Sequence, residues 1–373
     1  MRDEERVEKK RKRLLEELKR IDFRLTDEML KALEENRKIL QRAWDIEPME
    51  VTPVTGWSFP SPSPDKSIAR FDLTHNVRPQ LLGIMEDLKN GYNRLAGVCR
   101  NFNTTLLASA FGCPIKIMEN GQDWAEPIIT DDIGKAYDLK PPDFREDGLV
   151  PEYLEDMAIL REVLPEEVAV GNRILLGPTD HVYWLREPNR IFLDVFDHPE
   201  AVHKMYSVAT ETQIRLLKES HRIAQWDFSE DEVHFDTMVH AEPKGGVVFS
   251  DDGSMNFSPQ TFREFVAPYN RRLLDEFGGG LIHTCGNCEH LLEEYALLPA
   301  TGVELNPKLV DYHKAREILK GKVIVTYGGL IPAESYEESL RITVREAHKG
   351  GLVLSGIPKR VLEDIRRLDG EVL

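Results

Sequence analysis

The sequence predicts an α/β chain, and within that class a (β/α)8 barrel of the TIM type carrying an N-terminal helical extension. Three observations point there. From about residue 95 onward, short β-rich runs alternate with helical patterns, which implies a parallel sheet. So many alternating units in one chain favour a closed barrel over an open sheet. The chain has 373 residues and is 41% hydrophobic, ample for a full core.

Taken in order, residues 1–45 read as a separate zone, followed by the barrel over 46–373. Leu14, Leu15, Leu18 and Ile21 recur at helical spacing, as do Met29, Leu30, Leu33, Ile39 and Leu40. Thr26, followed by Asp27 and Glu28, is a helix N-cap with an acidic first turn. These two amphipathic helices pack on the barrel or on a partner subunit, which leaves a homodimer open. The Lys9–Arg13 basic run is interleaved with glutamates, as on a solvated helix face. Prolines from Pro48 to Pro64 mark an extended loop, with a strand at Met49–Thr55. Expected strands follow at Leu95–Phe102, Pro114–Met118, Val168–Leu176, Glu232–Asp236, Gly246–Asp251, Gly280–Cys285, Gly302–Asn306, Val323–Gly328 and Leu352–Ser355. Expected helices between them include Pro259–Phe277, Asn287–Leu298 and Ala333–Lys349. Glycine-rich phosphate loops are absent.

Composition excludes several functions. The net charge of −17, from 48 basic and 65 acidic residues, argues against a nucleic-acid partner, because phosphate binding wants a basic field. No stretch is apolar for the roughly 18 residues a membrane span needs. The N-terminus lacks the apolar core of a secretory signal, so a cytoplasmic enzyme is expected. Four cysteines in so long a chain do not make a disulfide framework.

The chemistry concentrates around Leu281-Ile282-His283-Thr284-Cys285-Gly286-Asn287-Cys288. Strand alternation puts His283 and Cys285 on one face, at the strand end where barrel enzymes place catalytic groups. Imidazole and thiolate on one face suit zinc, which in a catalytic site wants a third protein ligand and an open position. Glu304, on the next strand with its apolar neighbours turned the other way, is the first choice; a carboxylate there needs a cation or a donor. Cys288 is the alternative third ligand, although a first-turn position would make it a reactive thiol instead. Gly286 allows a sharp turn, and Asn287 can cap the next helix. Asp251 and Asp252 end another strand and suit a general base, a cation anchor or a helix cap; with Cys285 they are the expected catalytic residues. Asn101, Asn103, His234, Asp236 and Tyr183 extend the polar rim as substrate-binding candidates. Arg78 and Arg100 are cations that could hold a substrate carboxylate.

Several stretches resemble the uroporphyrinogen decarboxylase superfamily: FGCPIKIMENGQDWAEPII, FLDVFDHPEAVHKMYSVATE, SDDGSMNFSPQTFREFVAPYNRRLLDEF, LIHTCGN and GVELNPKLVDYHKAREILKGKVIVTYGGL. The likeness runs from about Phe71 to the C-terminus. It implies a (β/α)8 barrel and one of two activities. One branch of that superfamily decarboxylates uroporphyrinogen without metal, using an N-terminal arginine-rich signature and an aspartate on an early strand. Here the signature is missing, and CRNFNTT offers Asn101 and Asn103 instead of the acid. The other branch comprises methyltransferases that work with a corrinoid protein and hold zinc through an H-x-C pair and a later cysteine. His283 and Cys285 match the pair, but the later position reads Ser355-Gly356-Ile357-Pro358, leaving Glu304 or Cys288 to complete the site. The expectation is a zinc-dependent methyltransferase using a corrinoid protein or methylcobalamin. Decarboxylation of uroporphyrinogen or a related carboxylated substrate is the second reading, and a non-catalytic scaffold barrel the third.

Overall fold

Two helices open the chain, α1 (Arg2–Arg20) and α2 (Asp27–Trp44), where the helical spacing predicts them. The Thr26 hydroxyl caps α2 by accepting from the Met29 N–H at 3.3 Å. This computed structural model describes residues 2–56, 72–102, 104–118, 123–171, 176–225 and 246–372. The expected strand at Glu232–Asp236 lies outside the described residues.

After α3 (Leu73–Asn90) the chain enters β1 (Gly97–Cys99), α4 (Leu106–Ala110) and a hairpin of β2 (Ile115–Ile117) and β3 (Asp123–Ala125). The hairpin is antiparallel and, among the described residues, pairs only within itself, so Pro114–Met118 is not placed there among the parallel strands. Next come α5 (Val150–Val163) and β4 (Ala169–Gly171), which pairs in parallel with β1. Three helices follow: α6 (Pro178–Leu185), α7 (Pro188–Asp197) and the long α8 (Pro199–Ala224). The remaining strands, β5 (Val247–Ser250), β6 (Gly280–His283), β7 (Gly302–Leu305), β8 (Val323–Tyr327) and β9 (Leu352–Ser355), form one five-stranded parallel sheet in chain order. Helices α9 (Pro259–Phe265), α10 (Ala267–Glu276), α11 (Leu292–Ala296), α12 (Tyr312–Ile318) and α13 (Tyr336–His348) connect them, and α14 (Lys359–Val372) ends the chain.

Two expected helices are shorter than their patterns. Pro259–Phe277 breaks into α9 and α10 at Val266, because Pro268 offers no N–H to the preceding turn and its ring crowds the carbonyl four residues back. Asn287–Leu298 shrinks to a 3-10 turn over Glu289–Leu291 and the short α11. Asn287 therefore caps no α-helix; its side-chain oxygen accepts from the Glu289 N–H at 3.0 Å. Met49–Thr55 is likewise reduced to a single parallel bridge between Val54 and Leu354.

Register fixes which residues share a face of the sheet. Val248, Leu281, Gly302 and Val323 lie side by side in one row. Ser250, His283, Glu304, Val325 and Val353 form the next row toward the C-terminal ends. The opposite face, with Phe249, Ile282, Val303, Leu305, Ile324 and Leu354, packs under the helices in the main core. Both faces are thus buried, which is why the strands read as continuous apolar runs. At its apolar end the first face is covered by Leu40, Ala43 and Trp44 of α2, with Met49 and Leu95. Among the described residues, no helix is long and apolar enough to cross a membrane.

The β5–β6 pairing depends on Gly280. Its φ is +150°, and a Cβ there would lie 2.0 Å from the Val247 carbonyl oxygen.

Candidate functional site

Because β6 and β7 pair in register, His283 and Glu304 are direct neighbours at the C-terminal end of the sheet. The His283 Nδ1 and Glu304 Oε2 atoms are 2.6 Å apart. A carboxylate can only accept, so Nδ1 carries the proton and Nε2 faces the other way. There the Cys285 Sγ lies 2.9 Å from it. Glu304 and His283 are buried, whereas Cys285 is exposed. Asp252, two residues past the β5 end, closes the group by accepting from the Cys285 N–H through Oδ1 at 2.6 Å. Ligand atoms of Asp252, His283 and Cys285 all fall within 4.8 Å of one another. The Tyr327 ring stands edge-on to the imidazole at 5.7 Å.

Burial opposes a charge on His283, but the Glu304 carboxylate and the Cys285 sulfur outweigh it and hold the ring well above the usual histidine range. Asp251 has the reverse problem. It is fully buried, and that burial pushes its carboxyl up to about 7 despite hydrogen bonds from Ser254, Asn270 and Thr179. The Asn270 Nδ2 donates to Asp251 Oδ2 at 2.9 Å, while Oδ1 has no partner. Asp180, in the first turn of α6, is raised well above the ordinary carboxylate range by burial and then by Asp251 and Asp252. Its Oδ1 accepts from the Gly253 N–H at 2.7 Å, and its Oδ2 makes no short hydrogen bond among the described residues, with the Ser250 hydroxyl nearby.

The sequence-predicted residues are distributed as follows. His283, Cys285, Asp252 and Glu304 come together. Glu304 stands behind the imidazole, however, and Asp252 supplies the third donor beside His283 and Cys285. Asp251 is buried one residue away, its N–H donating to the His283 carbonyl at 2.9 Å. Cys288 sits in the main core and takes no place in that group; burial pushes its thiol up to about 12. Gly286 does not adopt a left-handed conformation. It matters for space instead: a Cβ there would lie 2.6 Å from the Met255 sulfur. The Tyr183 hydroxyl donates to the Gly253 carbonyl at 2.9 Å. Asn101 follows β1, and its backbone N–H and C=O are both paired with the Asn76 side chain. Arg100 is buried against Asp156, and Arg78 pairs with Glu17, so both candidate cations are engaged by carboxylates of the chain. Asn103, His234 and Asp236 lie outside the described residues. Sequence reasoning passed over Asp180; its signal was an acid in the first turn of a helix that follows an apolar run and Gly177-Pro178.

One nitrogen, one sulfur and one carboxylate oxygen form a donor set that suits a borderline-soft ion such as zinc. Glu304 fixing the far imidazole nitrogen is the usual support for a metal-binding histidine. The unpartnered, fully buried Oε1 of Glu304 leaves negative charge in the site for a cation to offset. The residues present therefore fit a metal ion.

Comparison with known proteins bears on the fold and on one segment of the chain. By sequence, no curated protein matches the chain. Its structure is similar to that of a methyltransferase from Methanosarcina mazei, with 17% identity, a TM-score of 0.63, and coverage of 90% of this chain and 98% of that one. At that identity the likeness concerns the fold. Residues 243–346 match the family model described as Uroporphyrinogen decarboxylase (URO-D), and this segment carries Asp251, Asp252, His283, Cys285 and Glu304. Through that segment, the chain is similar to the uroporphyrinogen decarboxylase family.

Proposed function

We propose that the protein is a zinc-dependent methyltransferase that works with a corrinoid protein or methylcobalamin, built on a closed (β/α)8 barrel. Closure is supported by hydrogen bonds at both edges of the five-stranded sheet. At one edge Val54 bridges Leu354 of β9, and the Val54 carbonyl accepts from the Asn93 N–H at 2.7 Å just ahead of β1. At the other edge Leu176, beyond β4, bridges Ser250 of β5. In the proposed barrel these contacts would join the β1–β4 pair to the two edges of the five-stranded sheet. Residues 1–45 are the extension, with α2 covering the apolar end of the interior.

The observation that carries the proposal is the triangle of Asp252, His283 and Cys285 with Glu304 behind the imidazole. Those three residues would hold the zinc. When bound, it supplies Lewis acidity that lowers the pKa of a thiol or polarises an ether oxygen. Glu304 keeps the proton on Nδ1, so that Nε2 is the ligating nitrogen. Exposure of Cys285 leaves the group open to a substrate from one side. Asp251, at about 7, holds or releases a proton near neutrality beside the site. Asn101, Asn103, His234, Asp236 and Tyr183 are proposed to face the substrate, Tyr183 through its ring because its hydroxyl is taken by Gly253.

The test is methyl transfer from a panel of donors to cob(I)alamin, and from methylcobalamin to thiols, by the zinc-loaded protein. Turnover that disappears in Cys285→Ser supports the reading; no turnover across the panel counts against it. A carboxy-lyase is the second reading, favoured by the description of the matching family. It requires cations facing the substrate, and Arg78 and Arg100 are both held by carboxylates of the chain. Formation of coproporphyrinogen by metal-free protein would establish it.

A further inference from the structure

Helix α6 holds the turn that carries Asp252 at Gly253, with two side chains. Asp180 Oδ1 accepts from the Gly253 N–H at 2.7 Å, and the Tyr183 hydroxyl donates to the Gly253 carbonyl at 2.9 Å. Positions three apart lie on one helical face, so the two side chains reach Gly253 together. There is no room for any other residue there: a Cβ on Gly253 would lie 2.6 Å from Tyr183 Cε2 and 2.8 Å from Asp180 Oδ1. The turn is tied from within as well, by the Ser254 hydroxyl donating to the Asp251 carbonyl at 2.7 Å.

Asp180 is a costly residue for a merely structural contact. An acid in the first turn normally serves its own helix's free N–H groups. Asp180 instead spends Oδ1 on a residue 73 positions away, while its buried Oδ2 makes no short hydrogen bond among the described residues and has only the Ser250 hydroxyl nearby. Two further carboxylates, Asp251 and Asp252, crowd it electrostatically. What its side-chain oxygen provides at this place is a fixed Gly253 N–H, and through it a fixed Asp252.

We propose that Asp180, assisted by Tyr183, is a positioning residue that sets Asp252 as the oxygen ligand of the site. This rests on the zinc reading above. The connection runs from Asp180 to the Gly253 N–H, along the turn to Asp252, and from Asp252 Oδ1 to the Cys285 N–H at 2.6 Å. The turn thereby sets one ligand directly and steadies the backbone of a second.

The experiment compares Asp180→Ala, Asp180→Asn and Tyr183→Phe in the full chain. It reads zinc affinity by chelator competition, the visible spectrum of the cobalt(II)-substituted protein, and hydrogen exchange of the Cys285 amide in zinc-free protein. Asp180→Ala is expected to lose about 10- to 100-fold in zinc affinity, the range typical of groups that support a ligand. Its cobalt bands should shift, and its Cys285 amide should exchange faster. Asp180→Asn keeps an oxygen acceptor for Gly253 and should restore all three. Tyr183→Phe removes only the hydroxyl and should weaken zinc binding less than Asp180→Ala; it carries the test if that variant does not fold. Wild-type affinity and exchange in Asp180→Ala, or in Tyr183→Phe where it stands in, would overturn the proposal, as would Asp180→Asn being as damaging as Asp180→Ala. If the wild type binds no zinc, the zinc reading fails by itself. The exchange arm then decides the clamp: faster Cys285 exchange in Asp180→Ala but not in Asp180→Asn upholds it, and equal exchange overturns it.

Discussion

Asp251 and Glu304 show how the site is held at the scale of single residues. Asp251 titrates near 3.8 when exposed and at about 7 in the fold, so the folded state keeps a proton that the unfolded chain releases. Its contribution to stability is therefore fully present below 3.8 and lost as the pH rises through about 7. In metal-free protein, Asp251→Asn should be more stable than wild type by up to a few kcal/mol at about pH 8, with the gain shrinking toward about pH 4. Thermal melts of both proteins across that range would check the trend. Glu304→Gln keeps an oxygen for His283 Nδ1 but removes the buried charge, and zinc affinity should fall about tenfold or more in a chelator competition. Residues within one strand end were legible in the sequence, because alternation alone pairs His283 with Cys285. The choice of Asp252 beside them was not settled there, where Asp251 and Asp252 were both open as base, cation anchor or cap; its place depends on the β5–β6 register and on a hydrogen bond between residues 33 apart in the chain. Asp180 was less legible still: its importance arises from burial beside other carboxylates, which no local pattern encodes.

Elements follow the same division between local and distant causes. The alternation of strands and helices was most readable from β5 to β9, because each strand of that sheet is buried on both faces and therefore runs apolar. The hairpin of β2 and β3 was not distinguishable from a parallel strand, since a short β-rich run does not state its partner. Helix α2 is tied to the start of the sheet by Asn36, whose Nδ2 donates to the Tyr92 and Arg94 carbonyls at 3.1 and 2.9 Å. Asn36→Ala leaves those buried carbonyls without a donor and should cost about 1–3 kcal/mol in denaturant unfolding. Gly280→Ala should be far more disruptive. Its methyl would meet the Val247 carbonyl at 2.0 Å, forcing β5 from β6 and with it Ser250 from His283. The expected outcome is a large drop in unfolding midpoint together with loss of zinc.

For the whole molecule, the arrangement separates stability from chemistry along the strands. The row of Val248, Leu281 and Val323 lies toward α2, and the row with Ser250, His283 and Glu304 lies toward the C-terminal ends of the strands. Removing residues 1–45 would uncover the surface that Leu40, Ala43 and Trp44 bury. The shortened chain should therefore lose solubility or melt markedly lower, rather than remain folded with only its oligomeric state changed. The central claim, that the site holds zinc through His283 and Cys285, is tested most directly by the metal content of purified wild type beside His283→Ala and Cys285→Ser. Near-stoichiometric zinc in the wild type, lost in both folded variants, is the predicted result. A folded wild type that takes up no zinc even when supplied with it would contradict the claim and return Cys285 to thiol chemistry of its own.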